Sequence, residues 1–355
     1  MLIRIAFVLG NLTTLYHETM MQVGETGLHT LFDCLKVYWE RDKANLGTTV
    51  NPPGKKVAGQ ASNNTTEDAL TKLIRVLANV LTAKEIKISI ETKEFFAEAI
   101  DSLKRKSTET SEEYVLNLIS CMTNFLYYDI PESGSSNIPS GLFETKEERK
   151  NVAEVLGGYV FASENEEIQI EAMRALSNLT RHKEIVEFVK DNKLLSEGIP
   201  LILDHTLRDL VFYNIGVVIN LTQEESAKRM LQPEVGRLVE VLKDSNIEDL
   251  DLSKVACKAL LNLAVDARVG NDGWKNEDIV KLDQVLSNIG EELDSILDMA
   301  NEEELQELMG LRNLVNELVN SLPDASFSCP VEGCGRKFEK KAKLEEHMTR
   351  RHPGT

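Results

Sequence analysis

The stretch MRALSNL, residues 173–179, decides how this chain folds, because closely similar stretches recur along it. Each is an apolar helical segment that closes on an asparagine followed by an aliphatic or aromatic residue. The six copies place this asparagine at Asn11, Asn79, Asn124, Asn178, Asn220 and Asn262. The last three follow one another at intervals of 42 residues. A period near 40 with helical patterning predicts an α-solenoid, in which each repeat packs only on its neighbours.

The clearest repeat predicts three helices. A first helix is expected over 181–192, the chain is expected to break at 198–200 before a second helix, and a third helix is expected over 207–222. Three helices per repeat favour the armadillo type over the two-helix HEAT type. The predicted fold class is therefore all-α, an armadillo-type α-solenoid of about five to six units over residues 1–275.

Two intervals between copies are longer than the period, and each contains a polar insertion. Residues 42–67 and 129–146 are rich in Pro, Gly, Asn, Ser and Thr and lack an apolar period, so we expect mobile loops there. Met1 opens directly into the helix that ends near Asn11, without the earlier helices of its unit. The first unit is thus expected to be truncated, as in the C-terminal part of a longer protein or a shortened gene model.

After Asp266 the asparagine motif stops and two acidic amphipathic helices follow over 276–322. We expect them to form the C-terminal cap of the solenoid, with a polar acidic outer face, because a solenoid has to end on a polar surface. The alternative is a helical hairpin that binds a partner.

The net charge of −18 is unevenly distributed. Residues 326–355 contain seven Lys/Arg and four Glu, so they carry +3 and the remainder of the chain carries −21. A strongly acidic surface argues against general nucleic-acid binding and favours basic protein partners. The change of sign coincides with a predicted domain boundary.

The basic tail, residues 323–355, has the spacing C-x4-C-x12-H-x4-H. Two thiolates on a hairpin and two imidazoles on one helix predict a ββα zinc finger with one structural Zn²⁺. So small a module needs the metal in order to fold. The predicted ligands are Cys329, Cys334, His347 and His352.

Lys340, Lys343 and Glu346 are the finger residues expected to face DNA bases. One finger covers only about three base pairs, which is too few for useful specificity. The finger is therefore expected to contact a protein, to contact RNA or DNA weakly, or to bind nothing and end the solenoid. Nucleic acid is a possible partner only through this module.

Repeat asparagines have two interpretations. Facing a groove, the amides of Asn79, Asn124, Asn178, Asn220 and Asn262 would bind the backbone of an extended peptide. Facing a neighbouring unit, they would satisfy carbonyl groups at helix ends. One turn earlier lie Arg75, Arg174 and Lys258, a basic row that could meet acidic ligands or remain solvated.

The sequence shows no catalytic motif: its histidines outside the tail are isolated, and no Walker loop, G-x-S-x-G or H-E-x-x-H is present. We expect neither enzymatic activity nor a small-molecule substrate. Cys34, Cys121 and Cys257 are scattered on apolar helices, which suits a reducing compartment. No signal peptide or membrane span is expected, so the predicted location is cytoplasmic.

The chain resembles armadillo families in stretches such as RIAFVLGNLT (4–13), EDALTKLIRVLANV (67–80) and PEVGRLVEVL (233–242). Over residues 2–265 it resembles in particular one armadillo family that is associated with the motile cilium. That resemblance implies a non-enzymatic adaptor for delivery of radial spokes to the axoneme, with radial spoke or transport-train proteins as partners and the cilium or flagellum as location. The alternative is a nuclear armadillo–zinc-finger regulator whose finger contacts nucleic acid. An importin-like receptor is disfavoured, because neither Trp39 nor Trp274 precedes a repeat asparagine by one turn.

Overall fold

The computed structural model describes residues 1–47, 59–83, 91–106, 108–129, 143, 145–265, 267, 273–297, 299–322, 327–328, 331, 337–338 and 341–352. The chain forms two compact units, Met1–Phe188 and Val189–Thr355. Outside one short hairpin near the C-terminus, every regular element in these residues is helical, which confirms the all-helical prediction for the repeats.

The first unit contains two rows of helices. Its elements are α1 (Leu2–Leu15), α2 (His17–Gln22), a π-helical turn (Val23–Gly27), α3 (Leu28–Gly47), α4 (Gly59–Val80), α5 (Glu91–Arg105), α6 (Thr108–Tyr128), α7 (Lys146–Ala162), α8 (Glu166–Leu179) and the start of α9 (Lys183–Asp191). Helices α1, α4, α6 and α8 carry the repeat asparagines and pack side by side. Helices α3, α5 and α7 form the second row, each packed on the asparagine helix that follows it.

The second unit repeats this arrangement. Its elements are α10 (Lys193–Ile202), α11 (Arg208–Leu221), α12 (Glu225–Leu231), a 3₁₀ turn (Gln232–Glu234), α13 (Val235–Ser245), α14 (Leu250–Ala264), α15 (Asn276–Leu297), α16 (Glu302–Ser321), β1 (Phe327–Ser328), β2 (Lys337–Phe338) and α17 (Lys341–Arg351). Helices α11, α14 and α16 pack in one row, and α13 packs on α15. Apolar residues at helical spacing are buried on both α11 and α15, among them Leu210, Val217 and Leu221 on α11 and Leu282, Ile289 and Leu293 on α15.

Polar caps fix where several helices begin. The side chain of Asn165 accepts a hydrogen bond from the Ile168 amide at 2.9 Å, and Asp249 accepts one from Leu252 at 3.1 Å. These groups satisfy amide donors that have no partner within the helix, which stabilises each start by about 1 kcal/mol. Helix boundaries are thereby set within a few residues of the repeat motif.

The expected break at residues 198–200 is wrong, because Gly198, Ile199 and Pro200 lie within α10. Pro200 falls in the last turn of this ten-residue helix. Proline has no backbone N–H, so one helical hydrogen bond is lost at this position. Little of the helix follows Pro200, so the loss disrupts little.

The two polar insertions are more ordered at their ends than the sequence indicated. Helix α3 continues to Gly47 and α4 begins at Gly59, so only 48–58 of the expected loop 42–67 lies outside the described residues. Asp129 is buried, and Thr145 caps α7 through the Glu148 amide. Most of 130–144 lies outside the described residues. Charged partners on other helices explain why Asp42 and Asp129, the first residues of these two stretches, are fixed, as shown below.

The predicted cap, 276–322, continues the solenoid. Helix α15 packs on α13 and α16 packs on α14, so the pair extends both rows. The free side of α16 is not wholly polar, since Leu305, Met309 and Val319 are exposed. The boundary expected at 275 therefore marks the loss of the asparagine motif and not the end of repeat stacking.

Strands β1 and β2 pair antiparallel, with Phe327 opposite Phe338, and α17 packs against both. The elements described within 327–352 are, in chain order, a strand, a strand and a helix. Cys329, Cys334 and Lys340 lie outside the described residues, as do the side chains of Lys341 to Glu345.

Candidate protein-binding surface

The repeat asparagines of the first unit connect neighbouring helices. The side-chain amide of Asn79 donates to the carbonyl of Gly10 at 2.9 Å, and that of Asn124 donates to the carbonyl of Ala78 at 2.9 Å. Asn178 repeats the contact one helix further on, at 3.3 Å from the Thr123 carbonyl. Each amide thus reaches back to the C-terminal half of the preceding asparagine helix.

In the second unit, Asn262 on α14 donates to the hydroxyl of Thr222 at 2.9 Å, at the C-terminal end of α11. Asn220 is half-buried. These contacts correspond to the interpretation in which the asparagines face a neighbouring unit. Binding of a peptide by the same side chains remains a prediction.

We expect Asn124→Ala to lower the free energy of unfolding of the first unit by about 1 kcal/mol, because it removes one half-buried hydrogen bond between α6 and α4. The measurement is urea unfolding followed by Trp39 fluorescence in a Trp274→Phe background, since the chain has one tryptophan in each unit. Asn117→Ala is the matched control, because among the described residues Asn117 bonds only within its own helix, to the carbonyl of Glu113. Equal effects from both substitutions would contradict the connecting role.

Residues one turn before the asparagines line the same face of each helix. Arg75 is half-buried and forms no ion pair with any described residue, whereas Arg174 lies 3.6 Å from Glu171. Lys258 is exposed on α14 in the second unit. In the first unit this face also holds an ion pair between helices, Lys72 to Glu113 at 2.6 Å. Of the basic row, Arg174 is therefore paired with a carboxylate, whereas Arg75 has no such partner among the described residues.

A buried charge cluster in the first unit was not anticipated from the sequence. The guanidinium of Arg149 on α7 lies 3.2 Å from the Asp129 carboxylate and also pairs with Glu184 on α9. The His182 ring lies 3.0 Å from the same Asp129 carboxylate. Asp129 and Arg149 are each less than one tenth exposed. The partners are 20 to 53 residues apart in sequence, so no local pattern indicates the cluster.

The carboxylates of this cluster remain charged despite burial. Desolvation alone would raise the pKa of Asp129, but the hydrogen bond from His182 and the charge of Arg149 lower it overall. The pKa of Glu184 is lowered in the same way against its own desolvation, by a backbone amide and by Arg149. Beside the cluster, Arg181 donates to the carbonyls of Asn178, Leu126 and Tyr127 near the ends of α8 and α6.

A second cluster closes the end of α3. The carboxylate of Asp42 lies 2.9 Å from the ammonium of Lys106 and 3.3 Å from the guanidinium of Arg105. Lys106 also pairs with Glu67 on α4 at 2.8 Å. These contacts explain why α3 and α4 extend into the stretch expected to be a loop.

The finger residues are only partly described. His347 and His352 both lie on or just after α17, with ring centroids 5.0 Å apart, and His347 is buried. Glu346, expected to face DNA, pairs with Arg350 at 2.7 Å. No group of three or more possible metal ligands occurs within the described residues, to which neither predicted cysteine ligand belongs.

The scattered cysteines are poor nucleophiles where they are buried. Burial raises the pKa of Cys257 to about 12 and raises that of Cys121 well above its usual value. Since the thiolate is the reactive form, neither thiol suits covalent catalysis at neutral pH. Within the described ranges, none of the helices is both long enough and apolar enough to cross a bilayer.

Known proteins similar to this chain contain armadillo repeats. Human armadillo repeat-containing protein 2 is 26% identical over 298 residues, covering 82% of this chain and 33% of the relative. The mouse protein of the same name is 27% identical over 269 residues, covering 74% and 29%. The chain spans about a third of the length of these relatives, and no family model matches it.

Among solved structures, a protein computationally designed for modular peptide recognition aligns with a TM-score of 0.48 at 16% identity, covering 74% of this chain and 98% of the design. A designed armadillo repeat protein in complex with the peptide (KR)4 aligns with a TM-score of 0.45 at 17% identity, covering 72% and 97%.

Proposed function

We propose that this chain is a non-enzymatic adaptor that binds an extended segment of a partner protein across α4, α6 and α8. The observation that supports this most directly is the alignment of half-exposed Asn79, Asn124 and Asn178 on three adjacent helices. Repeated polar groups at a fixed spacing suit an extended backbone, which presents an amide and a carbonyl at regular intervals.

The contacts between helices leave hydrogen-bonding capacity on this face. An asparagine side chain has two N–H donors and an acceptor oxygen. Asn124 uses one donor for the Ala78 carbonyl, and Asn178 uses one for Thr123. The remaining groups are suited to a peptide amide and carbonyl. Arg75, with no carboxylate partner in the described part of the chain, would select a partner segment with an acidic side chain at that position.

The partner class is proposed from the family resemblance. Armadillo repeat-containing protein 2 is similar to most of this chain, and the family that residues 2–265 resemble is one associated with the motile-cilium or flagellar axoneme. We therefore assign the adaptor to assembly or transport of axonemal components, with radial spoke or transport-train proteins as partners and the cytoplasm and cilium as its location.

The test is affinity capture from lysate of ciliated cells, scored by quantitative mass spectrometry of radial spoke proteins. We expect the wild-type chain to retain these proteins. The double variant Arg75→Glu with Arg174→Glu is expected to retain at least about tenfold less of them, because it reverses two charges on one face. Lys193→Glu combined with Lys243→Glu, both exposed in the second unit, is the charge-matched control. Failure of the wild type to retain any spoke protein would refute the axonemal role, and equal capture by all three would refute the surface.

We further propose that residues 323–355 hold one structural Zn²⁺ through Cys329, Cys334, His347 and His352. The strand pairing, the helix against it and the proximity of both histidine rings fit this donor set. When bound, the metal would supply the folding energy that a module of this size lacks. The positive charge of this region also favours a contact with nucleic acid as the second candidate function.

We expect one zinc per chain by elemental analysis of protein purified without chelator, and less than about one tenth of that after Cys334→Ser, since three remaining ligands bind far more weakly. Cys34→Ser is the control, because Cys34 lies on α3 and should leave the zinc content unchanged. A zinc-free wild type that regains no metal on dialysis would contradict the site.

Nucleic-acid binding is tested separately from the metal. Salt-dependent binding of a DNA duplex that disappears in Lys340→Ala combined with Lys343→Ala would favour the nuclear alternative. Absence of binding by the zinc-loaded protein at low salt would remove it.

A further inference from the structure

A groove with a volume of about 800 Å³ lies in the second unit, between the start of α11 and the end of α13; it is named the second-unit groove below. Its floor consists of apolar side chains that belong to the edge of the core, each at most 9% exposed. They are Leu203, Val211, Val241 and Leu252. A concave surface with an apolar floor is suited to receive an apolar side chain from another molecule.

The rim of the second-unit groove is acidic. Its lining contains five carboxylates and one guanidinium, that of Arg208, so it carries a charge of −4 when His205 is counted as neutral. The carboxylates are those of Asp204, Glu240, Asp244, Glu248 and Asp249. A cleft lined mainly by one sign of charge attracts ligands of the opposite sign.

Hydrogen bonds hold the walls of the groove in place. Arg208 donates to both carboxylate oxygens of Asp249, at 2.7 and 2.8 Å, which joins the starts of α11 and α14. The same guanidinium pairs with Asp209 at 2.9 Å, so its charge is already engaged. At the turn between α13 and α14, the hydroxyls of Ser245 and Ser253 lie 2.7 Å apart. A groove with fixed walls loses little conformational entropy when a ligand binds.

Two carboxylates on the rim are poorly neutralised. The Lys243 ammonium lies 4.0 Å from Asp244 but only 3.4 Å from Glu240. Glu248 is exposed and forms no ion pair with any residue that the structure describes. The other lining carboxylates already pair with cations, namely Asp204 with Arg237, Glu240 with Lys281 and Asp249 with Arg208. An incoming cation would therefore gain contacts at Asp244 and Glu248 without displacing a close ion pair.

We propose that the second-unit groove binds a short basic segment of a partner protein, with an apolar side chain on the floor and Lys or Arg side chains at Asp244 and Glu248. This surface goes beyond the adaptor face proposed above, because it belongs to the other unit and selects cations. The basic residues 326–355 of this chain have a suitable charge, but none of those described lines the groove. The groove is thus open to a separate protein.

The test is fluorescence anisotropy of the labelled peptide RLRLR titrated with the full chain at about 0.15 M salt. We expect this peptide to bind at least about tenfold more tightly than ELELE, which has the opposite charge. It is also expected to bind at least about fivefold more tightly than RSRSR, which offers no apolar side chain to the floor.

Asp244→Lys combined with Glu248→Lys is expected to weaken binding of RLRLR at least about tenfold, because both unneutralised carboxylates are reversed. The charge-matched control is Asp283→Lys combined with Glu291→Lys, two exposed residues of α15 that do not line the groove. We expect less than about a twofold change in the control. Urea unfolding followed by Trp274 fluorescence shows whether the second unit of each variant is folded.

Three outcomes would overturn the inference. The first is no binding of RLRLR by the wild type. The second is equal weakening by both double variants, since the peptide would then respond only to the overall charge of the chain. The third is tight binding only after Arg350→Glu combined with Arg351→Glu, because the occupant would then be the basic tail of this chain. Loss of binding confined to the folded groove variant supports the proposal.

Discussion

Arg149→Met is expected to lower the free energy of unfolding of the first unit by about 3–5 kcal/mol, since it leaves buried carboxylates without their cation. The guanidinium of Arg149 bridges Asp129 at 3.2 Å and Glu184, which connects the end of α6 to α7 and α9. Methionine fills a similar volume but offers no charge. The effect is measured by urea unfolding with Trp39 fluorescence in the Trp274→Phe background.

Arg174→Met is the matched control, because Arg174 is largely exposed and its pair with Glu171 is long. We expect the control to change the free energy of unfolding by less than about 0.5 kcal/mol. A similar small effect for Arg149→Met would show that the cluster is solvated and would contradict the structure.

The cost of Arg149→Met should also depend on pH. Arg149 helps lower the pKa values of Asp129 and Glu184 in the folded chain, so these groups contribute stability above their unfolded pKa values and lose it as pH falls through the lowered ones. The difference between wild type and variant is therefore expected to be full at pH 7 and to shrink below about pH 4. A difference that stays constant from pH 7 to pH 3 would contradict the role of these two carboxylates.

Phe95→Ala is expected to lower the free energy of unfolding of the same unit by about 3–5 kcal/mol through a cavity at the centre of its aromatic core. Phe95 on α5 is 1% exposed and contacts the rings of Phe32, Trp39, Phe96 and Phe125. These rings belong to α3, α5 and α6, so one truncation weakens packing between two successive repeats.

Phe7→Ala removes the same ring from the exposed side of α1 and serves as the control. It should change the free energy of unfolding by less than about 0.5 kcal/mol. Trp39 contacts Phe95, so the substitution itself can change the Trp39 fluorescence. The free energy of unfolding is therefore also measured by a second probe, hydrogen exchange of the α6 amides. If both probes show that Phe95→Ala lowers the free energy of unfolding by less than about 1 kcal/mol, the ring is not tightly packed in the core and the prediction is wrong.

Much of the fold could be predicted because helical patterning is local. The positions of α11 and α14, the inward faces of α11 and α15 and the burial of Cys121 and Cys257 all follow from apolar residues at helical spacing. The prediction failed at 198–200, where turn-forming residues lie inside α10. The local sequence around a proline in the last turn of a helix can be the same as that around a proline in a loop. Only the packing of neighbouring helices distinguishes the two cases.

The candidate surface was predictable in position but not in its contacts. The sequence placed Asn79, Asn124 and Asn178 at equivalent positions and left open which groups their amides meet. The structure directs these amides to the carbonyls of the preceding helix. Peptide binding by the same face stays a prediction, as does the zinc site at the C-terminus.

By itself, the sequence determined the repeat period, the helical class and the inward faces of helices such as α11 and α15, because residues on one face of a helix recur with a period of 3.6 residues along the chain. Only the tertiary structure decided the partners of the charged groups. Asp42 meets Lys106, and Asp129 meets Arg149 and His182. Electrostatic and hydrogen-bonding partners depend on distance through space, and stacking of repeats brings together residues that the chain separates by tens of positions.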